Sequence, residues 1–308
     1  MTKTIELIEK LKAQSIELSL AGENLLYKGP SIALGAETIV EIERHKPDLM
    51  AYLRLQSVEH IIIEKKGAGD FTQIYRPCRI SEVVGNESAK KIIARVFNDN
   101  RIPQSFLFHG LSGTGKTTMA RIIEMGLNCQ QGPTCEPCCK CAYCRSIIDR
   151  RGNLAVREIN AVEKLKDELL TILQEIDAYG FGGIIEGNRK SVFLVDECHG
   201  LTQEQAQLFL KYVEDAHEDN YFIFCTTAFE KVLPTLRDRC IFQIEFSRVP
   251  VREILRLLRG ICLQEQIEPD EEVLRKIAEE ASGKPRVAVN KLQQSYYAGN
   301  LKRRTMQE

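Results

Sequence analysis

Three groups of residues have the types and spacing to do chemistry. Gly110, Ser112, Gly113, Thr114, Gly115, Lys116, Thr117 and Thr118 fall in and just after a G-x-x-x-x-G-K-[ST] pattern. Its glycines let the backbone bend so that N–H groups face phosphate oxygens. Lys116 can set its ammonium between the β- and γ-phosphates of ATP, and the Thr117 hydroxyl can ligate Mg²⁺. The second group is Cys129, Cys138, Cys141 and Cys144, a spacing that can close a tetrahedral four-thiolate Zn²⁺ site. Cys135 and Cys139 lie in the same stretch, so four ligands have to be chosen among six thiols, and a redox cluster or an iron–sulfur site are rival uses. The third group is Asp196-Glu197. Asp196 can hold Mg²⁺ through water, and Glu197 can orient or deprotonate an attacking water. Elsewhere such a pair is usually a solvated turn; after a phosphate loop it reads as a Walker B motif.

These side chains need a frame. Ser105–His109 is an apolar run that reads as a strand leading into the loop, and a helix over 116–127 would present its positive N-terminal end to the anion. Ser191–Val195 is a continuous apolar run, as in the buried middle of a parallel sheet, and its acids stand at the C-terminal end, where open α/β sheets bind ligands. Residues 203–214 read as a helix, and Tyr221–Cys225 and Ile241–Phe246 as further strands. Strands alternating with helices predict a doubly wound parallel sheet. After Pro250 the stripes Ile254, Leu257, Leu258 and Ile261, then Val273, Ile277 and Ala281, then Val287, Val289 and Leu292 predict a three-helix lid.

The chain has 308 residues, 44% of them hydrophobic and 28% charged, with a formal net charge of −1. That length suggests about two or three domains. The near-zero charge gives no sign of bulk attraction to nucleic acid or membrane, so any DNA contact would be local. The N-terminus opens on a charged helical pattern in place of an apolar leader, and no apolar run nears the ~20 residues of a membrane span. A cytoplasmic protein without membrane contact is expected. In a reducing compartment clustered cysteines read as metal ligands more than disulfides.

Residues 1–55 form a unit of their own. Ile5, Ile8 and Leu11 recur at helical spacing, Ile16, Leu18 and Leu20 alternate as in a strand, Gly22–Asn24 is a turn, and Leu25–Tyr27 returns. Helical periodicity resumes at Ile39, Val40 and Ile42 and again at Leu49, Met50 and Leu53, beyond Pro47. This αββαα lobe is small enough to favour pairing or docking. Its Leu7, Leu11, Ile16, Leu18, Gly22, Leu25, Tyr27, Lys46, Pro47, Leu49 and Leu53 resemble the TubC-type N-terminal docking domain, which implies self-association or the grip of a partner's segment. Residues 56–70 read as a linker.

From Phe71 to Gly299 the chain resembles the bacterial DNA polymerase III gamma/tau subunit family and, more distantly, replication factor C. Tyr75-Arg76-Pro77 and Val83-Val84-Gly85 are similar to that family's segment beside the adenine. The four cysteines match its zinc module at 129–144, and Asp196-Glu197-Cys198-His199 its form of Walker B. Cys225-Thr226-Thr227 is similar to sensor 1, with Thr226 the better candidate. Arg239-Cys240 matches the arginine finger, with Asp238 where the family has Ser; that acid would blunt the finger or cap a helix. Gly283–Arg286 stands where the sensor 2 arginine is expected. The resemblance implies an AAA+ core over 71–247, a lid over 248–300 and a tail over 301–308, in which Lys302-Arg303-Arg304 reads as a solvated terminus. Lys116, Asp196, Glu197, Thr226, Arg239 and Arg286 would be the catalytic set. It also implies ATP hydrolysis that remodels a sliding clamp or primed DNA together with other clamp-loader or AAA+ subunits in replication. The chain stops just after the lid, without that family's collar, and the lobe at 1–55 would supply part of the missing association. Two other functions stay open: a mobile-element or defence ATPase built on the same module, and a docking protein regulated by its ATPase domain.

Overall fold

The computed structural model describes residues 69–149, 156–161, 190–214 and 219–303, together with parts of residues 7–50. Most of the expected linker, Ile5, Ile8, Gly22, Pro47, Leu53 and residues 304–308 lie outside the described residues.

In the N-terminal lobe, β1 (Glu17–Ala21) and β2 (Asn24–Lys28) form an antiparallel hairpin in which Leu18 faces Tyr27. Leu25 points inward and Leu26 outward, as the two-residue period of a strand requires. Leu25 joins Leu7, Leu11, Ile16, Ile42 and Leu49 in a small core, with Ile42 carried by the helix Ala36–Arg44.

Among the described residues, the larger unit is built on five parallel strands in the order β4-β5-β6-β3-β7: β3 (Ser105–Gly110), β4 (Val156–Asn160), β5 (Ser191–Asp196), β6 (Asn220–Thr226) and β7 (Phe242–Phe246). Every residue of β6 is buried, which is why its sequence is apolar without alternation. Alternate residues feed opposite faces. Phe106, Phe108, Val192, Leu194 and Ile223 pack under the helices Glu87–Asn98 and Lys116–Asn128. Leu107, Phe193, Val195, Phe222 and Phe224 pack against Phe209 of the helix Gln203–Glu214 and Leu236 of the helix Pro234–Arg239. The result is a three-layer α/β sandwich with its loops gathered at the C-terminal edge of the sheet.

The lid is three helices, Val251–Gln264, Glu271–Glu280 and Pro285–Tyr297. Ile254, Leu258, Ile261, Leu274 and Leu292 are its fully buried centre. Asp270 caps the second helix by accepting from the N–H groups of Glu272 and Val273. The lid extends past residue 300. Leu301 is buried in its core, the Glu268 N–H donates to the Lys302 carbonyl at 2.8 Å, and Arg303 bridges Ile267. Lys302 and Arg303 are thus held by their backbone, while their side chains stay exposed to solvent. The lid also holds the end of the expected linker. Gln293 accepts from the Phe71 N–H at 3.0 Å and donates to the Gly69 carbonyl at 2.9 Å, while Phe71 inserts into the lid core.

Candidate functional site

Strand β3 ends in the glycine-rich loop because its last residue has no room for a side chain. Gly110 has φ +134°, and a Cβ there would lie 2.2 Å from the Phe246 carbonyl oxygen of the neighbouring β7. The loop then turns into the helix Lys116–Asn128, whose N-cap is Gly115. Thr114 braces the turn by donating its hydroxyl to the Leu111 carbonyl at 2.8 Å. The Lys116 side chain is folded back and buried, with Nζ donating to the carbonyls of Gly110 (2.8 Å) and Leu111 (3.0 Å). Burial holds its pKa below the ordinary lysine value, against the opposing pull of Cys225, Glu197 and Asp196.

The acids arrive on β5. The Thr117 hydroxyl donates to Asp196 Oδ2 at 2.9 Å, which brings the two expected Mg²⁺ ligands together. Glu197 sits in the left-handed region with φ +51°, and this turn directs its carboxylate toward the end of β6. There Oε2 accepts from the Thr227 N–H (3.1 Å) and hydroxyl (2.8 Å) and lies 3.2 Å from His199 Nδ1. His199 in turn meets the Thr226 hydroxyl at 3.0 Å. Thr226 is fully buried and reaches Glu197 only through His199, so of the two threonines it is Thr227 that touches the carboxylate. The two threonines stand in the same Cys-Thr-Thr run, and only the fold separates them: Thr226 ends β6 and Thr227 follows it.

One cavity gathers most of the expected site. Its floor is Ser112 to Thr118 with Asp196 and Glu197; one wall is Tyr75, Arg76, Pro77, Val83 and Val84; the roof is Leu257, Arg286 and Val289 of the lid. The lid closes directly on the loop: a Cβ on Gly113 would stand 3.6–3.7 Å from the Cβ atoms of Lys284 and Arg286. Arg286 sits in the first turn of the helix Pro285–Tyr297, so that helix start adds its positive end to the arginine's charge. Asn86, absent from the sequence reading, links the parts: its Nδ2 donates to the Thr114 carbonyl at 3.1 Å and its Oδ1 accepts from the Ser247 N–H at 2.9 Å.

Arg239 lies apart from this cavity. It ends the helix Pro234–Arg239, ion-paired with Glu214 and donating to the Thr235 carbonyl at 3.2 Å, with its side chain 37% exposed. Asp238 occupies the last turn of that helix, whose N-cap is Leu233. The helix-capping role considered for Asp238 is therefore ruled out, because an acid caps the N-terminal end.

The Sγ atoms of Cys129, Cys138, Cys141 and Cys144 all lie within 4.8 Å of one another. Backbone N–H groups point at them: Gln131 and Cys138 at Cys129, Lys140 and Cys141 at Cys138, Cys144 at Cys141, over 3.3–3.5 Å. The bonds from Lys140 and Cys141 help draw the Cys138 thiol down to about 6. Four convergent thiols with N–H donors behind them fit a tetrahedral zinc ion. Cys135 and Cys139 are outside the group; the Cys139 thiol donates to the Pro137 carbonyl at 3.3 Å.

The family described as DNA polymerase III, delta subunit matches residues 85–250, more than half of the chain. The chain belongs to the DNA polymerase III delta-subunit family. Within polymerase III proteins, this family member is similar to the gamma/tau subunit of Mycobacterium tuberculosis H37Rv, 36% identical over 223 residues that cover 71% of this chain and 37% of that protein. It is 32% identical to the gamma subunit of Buchnera aphidicola from Acyrthosiphon pisum, over 73% of this chain and 61% of that one. The Escherichia coli K12 tau subunit is also 32% identical, over 73% and 34%. The chain thus spans between about a third and under two thirds of the length of these relatives. Residues 5–54 match the TubC N-terminal docking domain. Among solved structures, the Thermotoga maritima RuvB Holliday junction branch migration motor superposes with a TM-score of 0.54 at 20% identity, covering 75% of this chain and 69% of that one. At that identity the likeness speaks for the fold alone. Among the described residues, no helix is long and apolar enough to cross a membrane.

Proposed function

We propose that this chain is a clamp-loader-like ATPase that binds ATP between the sheet and the lid. The observation that carries the reading is the joining of Thr117, Asp196, Glu197 and Arg286 around the phosphate loop in one cavity. In this reading Gly110, Ser112, Gly113, Thr114, Gly115 and Thr118 cradle the phosphates with their backbone and hydroxyl groups. Lys116 leaves its two carbonyls for the phosphates, whose charge offsets its burial. Thr117 and Asp196 would hold a magnesium ion, which neutralises developing charge on the phosphates when bound. Glu197, fixed by Thr227 and His199, orients the attacking water and accepts its proton. Arg286 answers to the nucleotide of its own chain. Arg239, exposed and remote from the cavity, serves a neighbour's nucleotide. Cys129, Cys138, Cys141 and Cys144 hold a structural zinc ion.

The relatives are replication subunits, so the work done is remodelling of a sliding clamp or other partner on primed DNA, in the cytoplasm, with further AAA+ subunits. The division into a docking lobe at 1–55, a core at 71–247 and a lid belongs to the same proposal. The docking-domain match supports a second reading, in which the lobe recruits the ATPase to a mobile-element or defence partner. Titration with a fluorescent ATP analogue, phosphate-release assays and copurification test these together. Absence of nucleotide binding overturns the ATPase reading; recovery of an unrelated effector in place of clamp and polymerase subunits favours the second.

A further inference from the structure

The four-cysteine module and the nucleotide cavity share a wall. The 3₁₀ turn Ile80–Glu82 lies between them, and Glu82, itself a lining residue of the cavity, is only 2% exposed. Glu82 Oε2 accepts from the backbone N–H groups of Cys78 (2.7 Å) and Arg79 (3.2 Å), which fixes the segment just after Arg76 and Pro77. Glu82 Oε1 accepts from Arg79 Nη1 at 3.1 Å. The same guanidinium crosses to the module: Nε donates to the Pro137 carbonyl (3.1 Å) and Nη2 to the carbonyl of Cys138 (3.3 Å), one of the four clustered cysteines. Three further bonds close the joint. The Ile80 N–H donates to the Cys135 carbonyl at 3.2 Å, and the Ser81 N–H and hydroxyl both donate to the Glu136 carboxylate, at 2.9 and 2.8 Å.

We infer that the four-cysteine module buttresses the base-side wall of the nucleotide cavity, with Arg79 and Glu82 as the positioning residues that connect them. The phosphate loop is held separately, by Asn86, the sheet and its own helix. A small loop that folds around a metal is rigid only while the ligands are gathered. Loss of the metal would loosen the carbonyls of Pro137 and Cys138, and with them Arg79, Glu82 and the 76–83 wall. Metal occupancy would therefore be felt as affinity for the nucleoside half of ATP, with little change at the phosphates.

This inference rests on the ATP reading of the cavity. The test uses full-length wild type, Arg79→Ala and Arg79→Lys, titrated with a fluorescent ATP analogue and, in competition, with inorganic tripolyphosphate, which lacks the nucleoside. Zinc content and thermal unfolding are measured alongside. Arg79→Ala should weaken the ATP analogue about tenfold, the scale of lost charge-assisted hydrogen bonds, with tripolyphosphate binding held within about twofold. Chelation of zinc from wild type should give the same pattern and add little to Arg79→Ala. If Arg79→Ala does not fold, the exposed Glu136→Ala loosens the same joint and should weaken the analogue about twofold to threefold. Unchanged analogue affinity after chelation, full additivity of chelation and substitution, or equal loss of tripolyphosphate affinity would each overturn the inference while leaving the ATP reading intact. A wild-type chain that binds tripolyphosphate and ATP with equal affinity overturns it as well; one that binds no nucleotide overturns both readings.

Discussion

The Thr117 hydroxyl donates to the Asp196 carboxylate at 2.9 Å across 79 residues of sequence. That bond joins the end of the phosphate loop to the end of β5 and places the two proposed Mg²⁺ ligands side by side. Asp196→Asn should therefore leave nucleotide affinity without Mg²⁺ nearly unchanged and remove most of the gain that Mg²⁺ gives. A titration with and without Mg²⁺ reads this directly; an unaltered Mg²⁺ gain would exclude Asp196 as a ligand.

Lys116→Ala should abolish nucleotide binding, since in the proposed reading Nζ, which holds two loop carbonyls, turns to the phosphates as their main side-chain partner. Glu197→Gln should bind ATP normally and hydrolyse it at least about a hundredfold more slowly, the scale of a lost general base. Wild-type turnover by the Gln variant would move the water-activating role elsewhere.

Much of this site was legible because its motifs are local. Phosphate loop, acid pair and cysteine spacing each need only a few neighbouring residues, the three central strands β3, β5 and β6 announce themselves as apolar runs, and β7 shows itself by alternation, with Ile244 and Phe246 buried beside exposed Gln243 and Glu245. Strand β4, at the other end of the sheet among the described residues, did not: Val156-Arg157-Glu158-Ile159-Asn160 is short and carries charges, as an outer strand can. The joints were equally hidden. Asn86 and Arg79 are polar residues whose meaning depends on partners dozens of residues away, and no period or motif marks them; Thr227 stood in a motif, but its bonds to Glu197 emerge only from the fold. Arg239 was found as a motif, but its distance from the cavity emerges only from the fold.

One zinc ion per chain is expected on Cys129, Cys138, Cys141 and Cys144, whose sulfurs already converge. The Cys135→Ala/Cys139→Ala double variant should retain about one equivalent by metal analysis, because tetrahedral coordination needs only the four. Cys144→Ser should lose it, because that fully buried sulfur completes the set of four. Loss of metal in the double variant would show a different ligand set.

Glu124 is a buried carboxyl on the helix that follows the phosphate loop, 1% exposed, with no hydrogen-bond partner on Oε1. Burial pushes its pKa up to about 8, from an ordinary value of 4.5. The unfolded chain then loses this proton first as pH rises, so the folded state binds more protons between those values. Stability should be greatest below about pH 4.5 as far as this group is concerned, and fall by an amount on the order of a few kcal/mol as pH approaches 8. Glu124→Gln should flatten that slope and raise the unfolding midpoint at pH 8. Parallel urea unfolding of both proteins across the interval measures it; equal slopes would assign the pH dependence to other groups.

Arg239 and Arg286 should act on different nucleotides. Arg286 lines the cavity of its own chain, in the first turn of the last lid helix. Arg239 is half-exposed at the end of the helix Pro234–Arg239, tethered to Glu214, outside that cavity. In the proposed reading it meets a phosphate that a second subunit presents, and such a finger contributes about 10³-fold or more in rate. The isolated chain should therefore be a weak ATPase whose specific activity rises with assembly. Arg286→Ala should impair each chain's own turnover in any mixture. Arg239→Ala subunits mixed with Lys116→Ala subunits should behave differently: where an intact Arg239 faces an intact phosphate loop, that interface recovers activity. Phosphate release at varied ratios, with assembly followed by light scattering, separates the two cases. Activity that stays at the level of the separate variants at every ratio, in mixtures that do assemble, would show that Arg239 works within its own chain or not at all.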